Sequence, residues 1–172
     1  MEIIDFQKYL EKLNYSCHFK PQLNNGKNDF KIDVLSIGLD QLLLDQYDSN
    51  PFIELCFVPG MEEKLKKTQL LQYFVGLPFK GFSMFTEAIM HDIKDLLLHV
   101  NFTLHSGHFG MNLDGNYLYY KHSGIIEDKN DKSEFNSLVD TIELINFNIY
   151  TFEQAFYEVI SEQKTLKELI DA

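Results

Sequence analysis

Residues 100–124, VNFTLHSGHFGMNLDGNYLYYKHSG, are the stretch that determines the fold of this chain. Asp114-Gly115 lies between the apolar runs FGMNL and NYLYY. An Asp-Gly pair in that position is typical of a two-residue type I′ turn, because both residues tolerate a positive φ angle. The stretch therefore predicts an antiparallel β-hairpin.

The turn also fixes which residues face each other across the hairpin. If Leu113 pairs with Asn116, alternation along both strands gives two sets of pairs, one on each face. The first set should face the core and the second solvent: Phe109 with Tyr120 and Met111 with Leu118, then His108 with Lys121 and Asn112 with Tyr117.

His105, His108 and His122 lie in the same stretch, which raises the question of a metal or catalytic site. His105 and His108 are three residues apart, a spacing that converges on a helix but diverges on a strand. His108 would face Lys121, an unfavourable neighbour for a cation, and only His122 has the parity of the core face. We interpret all three histidines as structural or solvent-exposed, and we predict no metal site.

The N-terminal third predicts a helix followed by strands. NNGKND at 24–29 predicts the turn between the first two strands, and FIELCFV at 52–58 predicts a central strand covered on both faces. The helix, over residues 2–13, should end at Asn14 and have one apolar stripe: Ile3, Phe6, Leu10 and Leu13.

Two further helices are predicted before the hairpin. The first covers residues 61–75, with acidic residues in its first turn and Gly76 at its C-terminal cap. The second is capped by Ser83 and ends near Asn101. Its apolar residues recur at helical spacing: Phe85, Ile89, Ile93, Leu96 and Val100.

A long helix that begins near Ser133 is predicted to close the chain. Its apolar residues form a seam with alternating spacings of three and four: Phe135, Leu138, Ile142, Ile145, Ile149, Phe152, Phe156 and Val159. The positions beside this seam lack the opposite charges that specify coiled-coil partners. We therefore expect the seam to pack against the sheet of the same chain.

Leu144 and Phe147 lie on the opposite side of that helix, about half a turn from the seam. Two interpretations remain open for this pair. The N-terminal helix or the tail at 164–172 covers it, or it forms an exposed contact with a second copy or another protein. Leu144 and Phe147 are our candidate partner or dimer surface.

Length and composition predict a single domain over residues 1–172. The 26 acidic and 15 basic residues give a net charge of −11, which disfavours binding to nucleic acid and to anionic membranes. No signal peptide or membrane span is apparent, so we expect a cytoplasmic location. Cys17 and Cys56 are interpreted as buried thiols, and without phosphate-loop, dinucleotide or HExxH motifs we predict no catalytic residue and no cofactor.

Three runs together resemble the YbjN-like family: LLQYFVGLP at 70–78, LLLHVN at 96–101 and SGHFGMNLDGNYLYYKHSG at 106–124, followed by the long closing helix. The resemblance covers about residues 51–163 and rests on apolar positions, an Asn and a glycine hairpin. It implies the fold of type III secretion chaperones, an α+β domain whose helices cover an antiparallel sheet of about five to six strands. It also implies a domain that often self-associates and binds other proteins.

Three classes of function remain open from the sequence. The first is a non-enzymatic protein-binding module or adaptor. The second is a dedicated cytoplasmic chaperone for one secreted protein, which would need exposed apolar residues on the sheet or the first helix. The third is an enzyme with a dispersed site, which would need a deep polar pocket with perturbed carboxylates or histidines.

Overall fold

The computed structural model describes residues 2–24, 31–39, 42–61, 65, 68–81, 86–112, 117–127 and 133–170. The elements are, in chain order, α1 (Ile3–Lys12), β1 (Cys17–Asn24), β2 (Lys31–Gly38), a 3-10 turn (Leu44–Gln46), β3 (Phe52–Phe57), β4 (Gln69–Leu77), α2 (Glu87–Thr103), β5 (His108–Asn112), β6 (Tyr117–Ile126), α3 (Ser133–Ile160) and α4 (Leu166–Ile170). The predicted α+β class is confirmed.

The six strands form one antiparallel sheet in the order β1-β2-β3-β4-β6-β5. Among the described residues, the helices pack on one face of this sheet, where alternate strand residues are buried. Helix α1 contacts β1 and β2, α3 contacts β6, and α2 contacts β5. A sheet covered on one side gives strands with one buried and one partly exposed face.

The predicted hairpin register is confirmed in all four of its described pairs, which include Phe109 with Tyr120 and His108 with Lys121. Phe109 and Tyr120 are buried, whereas His108 is exposed. Leu113, Asn116 and the Asp-Gly turn itself lie outside the described residues. The turn chemistry of the sequence therefore predicted the pairing of the two strands correctly.

The predicted helix over 61–75 is wrong for residues 69–75, which belong to β4, whereas residues 62–64, 66 and 67 lie outside the described part of the chain. Burial alternates along this strand with a period of two, and Leu71, Tyr73, Val75 and Leu77 face the core. Gly76 lies inside the strand and caps no helix. Pairing with β3 on one side and β6 on the other stabilises the extended backbone, which outweighs the local helical spacing.

The prediction that β3 is covered on both faces is also wrong. Ile53 and Leu55 are buried, but Phe52 is exposed and Glu54 and Cys56 are only partly buried. The strand is central in the sheet, as expected, between β2 and β4. Its apolar residues on the second face, Phe52 and Cys56, meet no helix in the described part of the chain.

The ends of the first two helices follow their sequences closely. Asn14 has a φ of 66° and ends α1, as predicted. Thr86 caps α2 through a hydrogen bond that its side chain accepts from the backbone N–H of Ile89. The predicted cap Ser83 lies outside the described residues, and α2 continues past Asn101 to Thr103.

Asn101 has a different role from the predicted helix cap. Its side chain accepts a hydrogen bond from the backbone N–H of Phe109 at 2.7 Å and donates one to the carbonyl of Phe109 at 2.8 Å. An amide side chain thus takes the place of a neighbouring strand along the outer edge of β5. Such capping protects an edge strand from pairing with another chain.

Helix α3 extends over 28 residues, and its apolar seam is buried within the chain except for Phe135 and Phe152, which are partly buried. Leu138, Ile142, Ile145 and Ile149 lie in the core together with the inward residues of the sheet. Near its C-terminal end, Phe156 packs against Phe109 with ring centroids 5.1 Å apart. The predicted packing of the seam against the sheet of the same chain is confirmed.

Replacing Ile149 with alanine should lower the free energy of unfolding by ~2–5 kcal/mol, because Ile149 is fully buried and its removal leaves a cavity. Chemical denaturation monitored by circular dichroism measures the change. Leu144→Ala on the exposed side of α3 is the matched control and should cost about 1 kcal/mol or less. Equal losses for the two variants would contradict this assignment of core and surface.

Candidate functional site

The outward side of α3 carries exposed apolar side chains at mid-helix. The exposed fractions are 39% for Leu144, 64% for Phe147 and 54% for Tyr150. Neither α1 nor the described part of the tail, 164–170, covers them. Of the two interpretations left open by the sequence, the structure supports exposure, and we call Leu144, Phe147 and Tyr150 the α3 patch.

A second exposed pair lies on the neighbouring helix α2. Leu98 and Phe102 are four residues apart, so they lie one above the other on one side of the helix, and Phe102 is 91% exposed. Helices α2 and α3 contact each other along their sides. The helix layer therefore presents large apolar residues to solvent on two adjacent helices, a feature that marks interaction surfaces.

The other face of the sheet is a second candidate surface, which we call the open face. Its side chains alternate with those of the core along each strand. The apolar and aromatic residues among them are Ile32, Val34, Phe52, Cys56, Leu70, Phe74, Tyr117, Tyr119 and Ile125, of which Val34 alone is buried. This face was not predicted, because residues 69–75 were assigned to a helix. The alternate positions Leu71, Tyr73, Val75 and Leu77 in LLQYFVGL are all apolar, which was a signal for a strand with two faces.

Tyr119 lies on the open face near one edge of the sheet, and its neighbour on the edge strand β5 is Gly110. A Cβ on Gly110 would lie 2.3 Å from the Tyr119 ring, so only glycine allows the ring to lie across β5. The ring also stacks on Phe74 of β4, with centroids 5.4 Å apart and planes at 26°. The two rings form an ordered aromatic surface across three strands.

The charged residues of the open face in the described strands are Lys20, Glu54 and Lys121. Lys20 lies 3.9 Å from the Glu54 carboxylate and places its ammonium 5.0 Å from the centre of the Phe52 ring. Both side chains of this ion pair are partly exposed, so the pair adds little stability. The face is thus not acidic, although the whole chain is.

The three histidines of the hairpin region do not meet. His105 lies in the connection before β5, outside any strand, and its Nδ1 is 3.3 Å from the Thr103 carbonyl. His108 lies on the open face opposite Lys121, as predicted. His122 lies on the core side, and its ring centroid is 5.7 Å from that of Tyr73. Burial lowers the pKa of His122.

Both cysteines are free and only partly buried, which corrects the prediction of buried thiols. Cys17 lies beside α1, and burial, with a smaller contribution from Glu11, raises its pKa to about 11. Burial also raises the pKa of Cys56 on the open face. Neither side chain is ionised near neutral pH, so neither is an activated nucleophile.

Glu153 is a buried carboxylate that sequence reasoning missed. It is 1% exposed and accepts hydrogen bonds from the backbone N–H of Leu43, at 3.1 and 3.2 Å, and from the Tyr47 hydroxyl at 2.8 Å. These bonds attach the segment before β3 to α3. Burial raises the pKa of Glu153, although the hydrogen bonds from Tyr47 and Leu43 lower it in part.

A small cavity of about 200 Å³ lies between the end of α1 and the middle of α3. Asn146 and Glu143 of α3 line it together with Tyr15, whose hydroxyl donates a hydrogen bond to Glu143. The described residues contain no group of three or more histidine, cysteine, aspartate or glutamate side chains placed to hold a metal ion. In the same part of the chain no helix has the length and apolar character needed to cross a membrane.

No protein-family model matches this chain, and no curated protein matches it significantly in sequence.

The stability that Glu153 contributes should decrease as the pH rises. Its folded-state pKa lies above the ordinary value of 4.5, so its contribution is present below about pH 4.5 and is lost as the pH rises through the folded-state pKa. Glu153→Gln removes this titration. Denaturant unfolding of both proteins should therefore show a larger advantage of wild type over Glu153→Gln at pH 4 than at pH 7. A constant or increasing advantage would contradict the assignment.

Proposed function

We propose that this protein is a non-enzymatic protein-binding module that contacts its partner through the α3 patch. The observation that carries the proposal is the exposure of Leu144, Phe147 and Tyr150 on a helix whose opposite side packs in the core. Large aromatic residues exposed at the centre of a rigid element are typical anchors of protein interfaces.

The surroundings of the α3 patch fit a protein partner. Asp140 and Glu143 precede the patch on the same side of α3, and Thr151 and Gln154 follow it, all exposed. An apolar centre with a polar rim is the usual composition of such an interface. The free cysteines agree with a reducing compartment, so a cytoplasmic location is part of the proposal.

The resemblance to the YbjN-like family agrees with this proposal, because that resemblance implies protein binding without catalysis. The fold has the architecture expected from it, a one-sided antiparallel sheet under helices with a long closing helix. We propose membership of this family, with the fold of type III secretion chaperones, on these grounds.

A dedicated chaperone for a secreted protein is the second candidate. It is favoured by the aromatic side chains of the open face, which provide the exposed apolar sheet that an extended client segment needs. Copurification of one partner whose bound segment is unfolded when free would support the chaperone over an adaptor for folded proteins.

Phe147→Asp should abolish or reduce partner capture at least about 10-fold, because it places a charge at the centre of an apolar contact. The experiment compares tagged wild type and variant in pull-downs from native lysate, with partners quantified by mass spectrometry. The melting temperature should change little, since Phe147 is mostly exposed.

Ser137→Asp is the matched control for this test. It adds the same charge on an exposed position of the same helix, about 15 Å from Phe147 along the axis. It should keep every partner of the wild type. Equal partner profiles for wild type and Phe147→Asp would overturn the proposal, and a collapsed melting temperature would assign Phe147 to the core.

A further inference from the structure

We propose that the open face is the interface of a homodimer whose two-fold axis lies in the interface and runs along β4. The partner on this face is a second copy of the chain, because a two-fold rotation about β4 places complementary residues of the two copies opposite each other. The inference concerns the opposite side of the molecule from the α3 patch and does not depend on the proposed function.

The charges supply the first part of the complementarity. Glu54, Phe74 and Lys121 lie in one row across β3, β4 and β6, since Glu54 pairs with Phe74 and Phe74 with Lys121. A two-fold axis along β4 exchanges the two sides of that strand. Glu54 then faces the partner's Lys121, and Lys121 faces the partner's Glu54. The two Phe74 residues lie on the axis, each with its ring stacked on Tyr119 of its own chain.

The next row supplies the second part. Gly76 of β4 pairs with Tyr119 of β6. Phe52 of β3 lies in the same row on the other side of Gly76, because Phe52 is two residues before Glu54 and Gly76 is two residues after Phe74. The same axis therefore places Phe52 against the partner's Tyr119, one aromatic residue against another. A Cβ on Gly76 would meet no atom within 4 Å, so the sheet has free space on the axis between these two contacts.

Charge explains why copies of an acidic chain would meet on this face. The whole chain carries a net charge of −11, which opposes association of two copies. Of the described open-face residues, Glu54 and Lys121 lie in the strands that the second copy would cover, one negative and one positive charge, and Lys20 lies beyond them on β1. These two charges cancel, so the described part of the contact region adds little to the self-repulsion.

The size of the face sets the expected affinity. The axis along β4 overlaps five strands, which at ~4.8 Å spacing and ~20 Å length span roughly 480 Å² per copy. About 1,000 Å² in total is at the lower limit of specific interfaces. We expect a reversible dimer with a dissociation constant in the micromolar range.

The test uses two charge reversals, Glu54→Lys and Lys121→Glu, measured by sedimentation equilibrium from about 1 to 100 μM, a range that brackets the expected dissociation constant. Each variant alone places like charges opposite each other twice, so its dimer dissociation constant should rise at least about 10-fold. Mixed in equal amounts, the two variants restore both opposite-charge pairs. The mixture should form a heterodimer within about threefold of wild-type affinity.

Two variants control for other causes of the change in mass. Glu87→Lys makes the same change of net charge as Glu54→Lys on an exposed position of α2 and should leave the dimer intact. Phe147→Asp should also leave it intact, because the α3 patch points away from the sheet. Heterodimer formation itself shows that both single variants are folded.

Four results would overturn the proposal. Wild-type protein that stays monomeric up to 100 μM would leave the open face free for a client segment. Single reversals that keep the wild-type dissociation constant would exclude the charge pairs, and reversals whose mixture stays monomeric would exclude the axis along β4. Loss of the dimer in Phe147→Asp would place self-association on the α3 patch instead. Partner capture through the α3 patch is a separate measurement, so either proposal can fail alone.

Discussion

The hydroxyl of Tyr120 links the sheet to the helix layer within the apolar core. It donates a hydrogen bond to the Ser106 carbonyl at 2.9 Å and accepts one from the Asn148 side chain at 3.0 Å. A Cβ on Gly107, which has a φ of 68°, would lie 2.1 Å from this hydroxyl, so only glycine fits there. One buried polar group, fully paired, thus positions α3 over β6 and the α2–β5 connection. The outward direction of the α3 patch follows from that position.

Local chemistry explains which parts of the fold the sequence could predict. The Asp-Gly pair and the alternation around it were enough to predict the β5–β6 register. A two-residue turn fixes which residues pair, and any other register would turn the apolar residues of one strand away from the core. Residues 69–77 were misassigned because Leu71 and Val75 are four apart, a spacing that suits a helix as well as one face of a strand. Only pairing with β3, the preceding strand, and with β6, which follows α2 and β5, distinguishes the two, and no spacing within residues 69–77 reports this pairing.

The two candidate surfaces differ in the same way, because local sequence predicts one of them and only the whole fold defines the other. Leu144 and Phe147 were predicted because a single helix with a regular seam has a defined opposite side. The open face depends on which side of the sheet the helices cover, and this is a property of the whole chain. Glu153 belongs to the same class, since it bonds to the backbone of Leu43, 110 positions away in the sequence. Asn101 bonds to the backbone of Phe109, only eight positions away, but this contact depends on how α2 and β5 pack against each other.

Strand β6 connects the two surfaces, because successive residues of a strand point to opposite faces. Tyr120 faces the helix layer, while Tyr119 and Lys121 on either side of it face away from the helices. The fixed position of Tyr120 therefore also fixes where Tyr119 stacks on Phe74 and where Lys121 lies relative to Glu54. A dimer through the open face would leave both helix layers outward. The two α3 patches would then point away from each other, so a dimer would bind two partner molecules without competition between the surfaces.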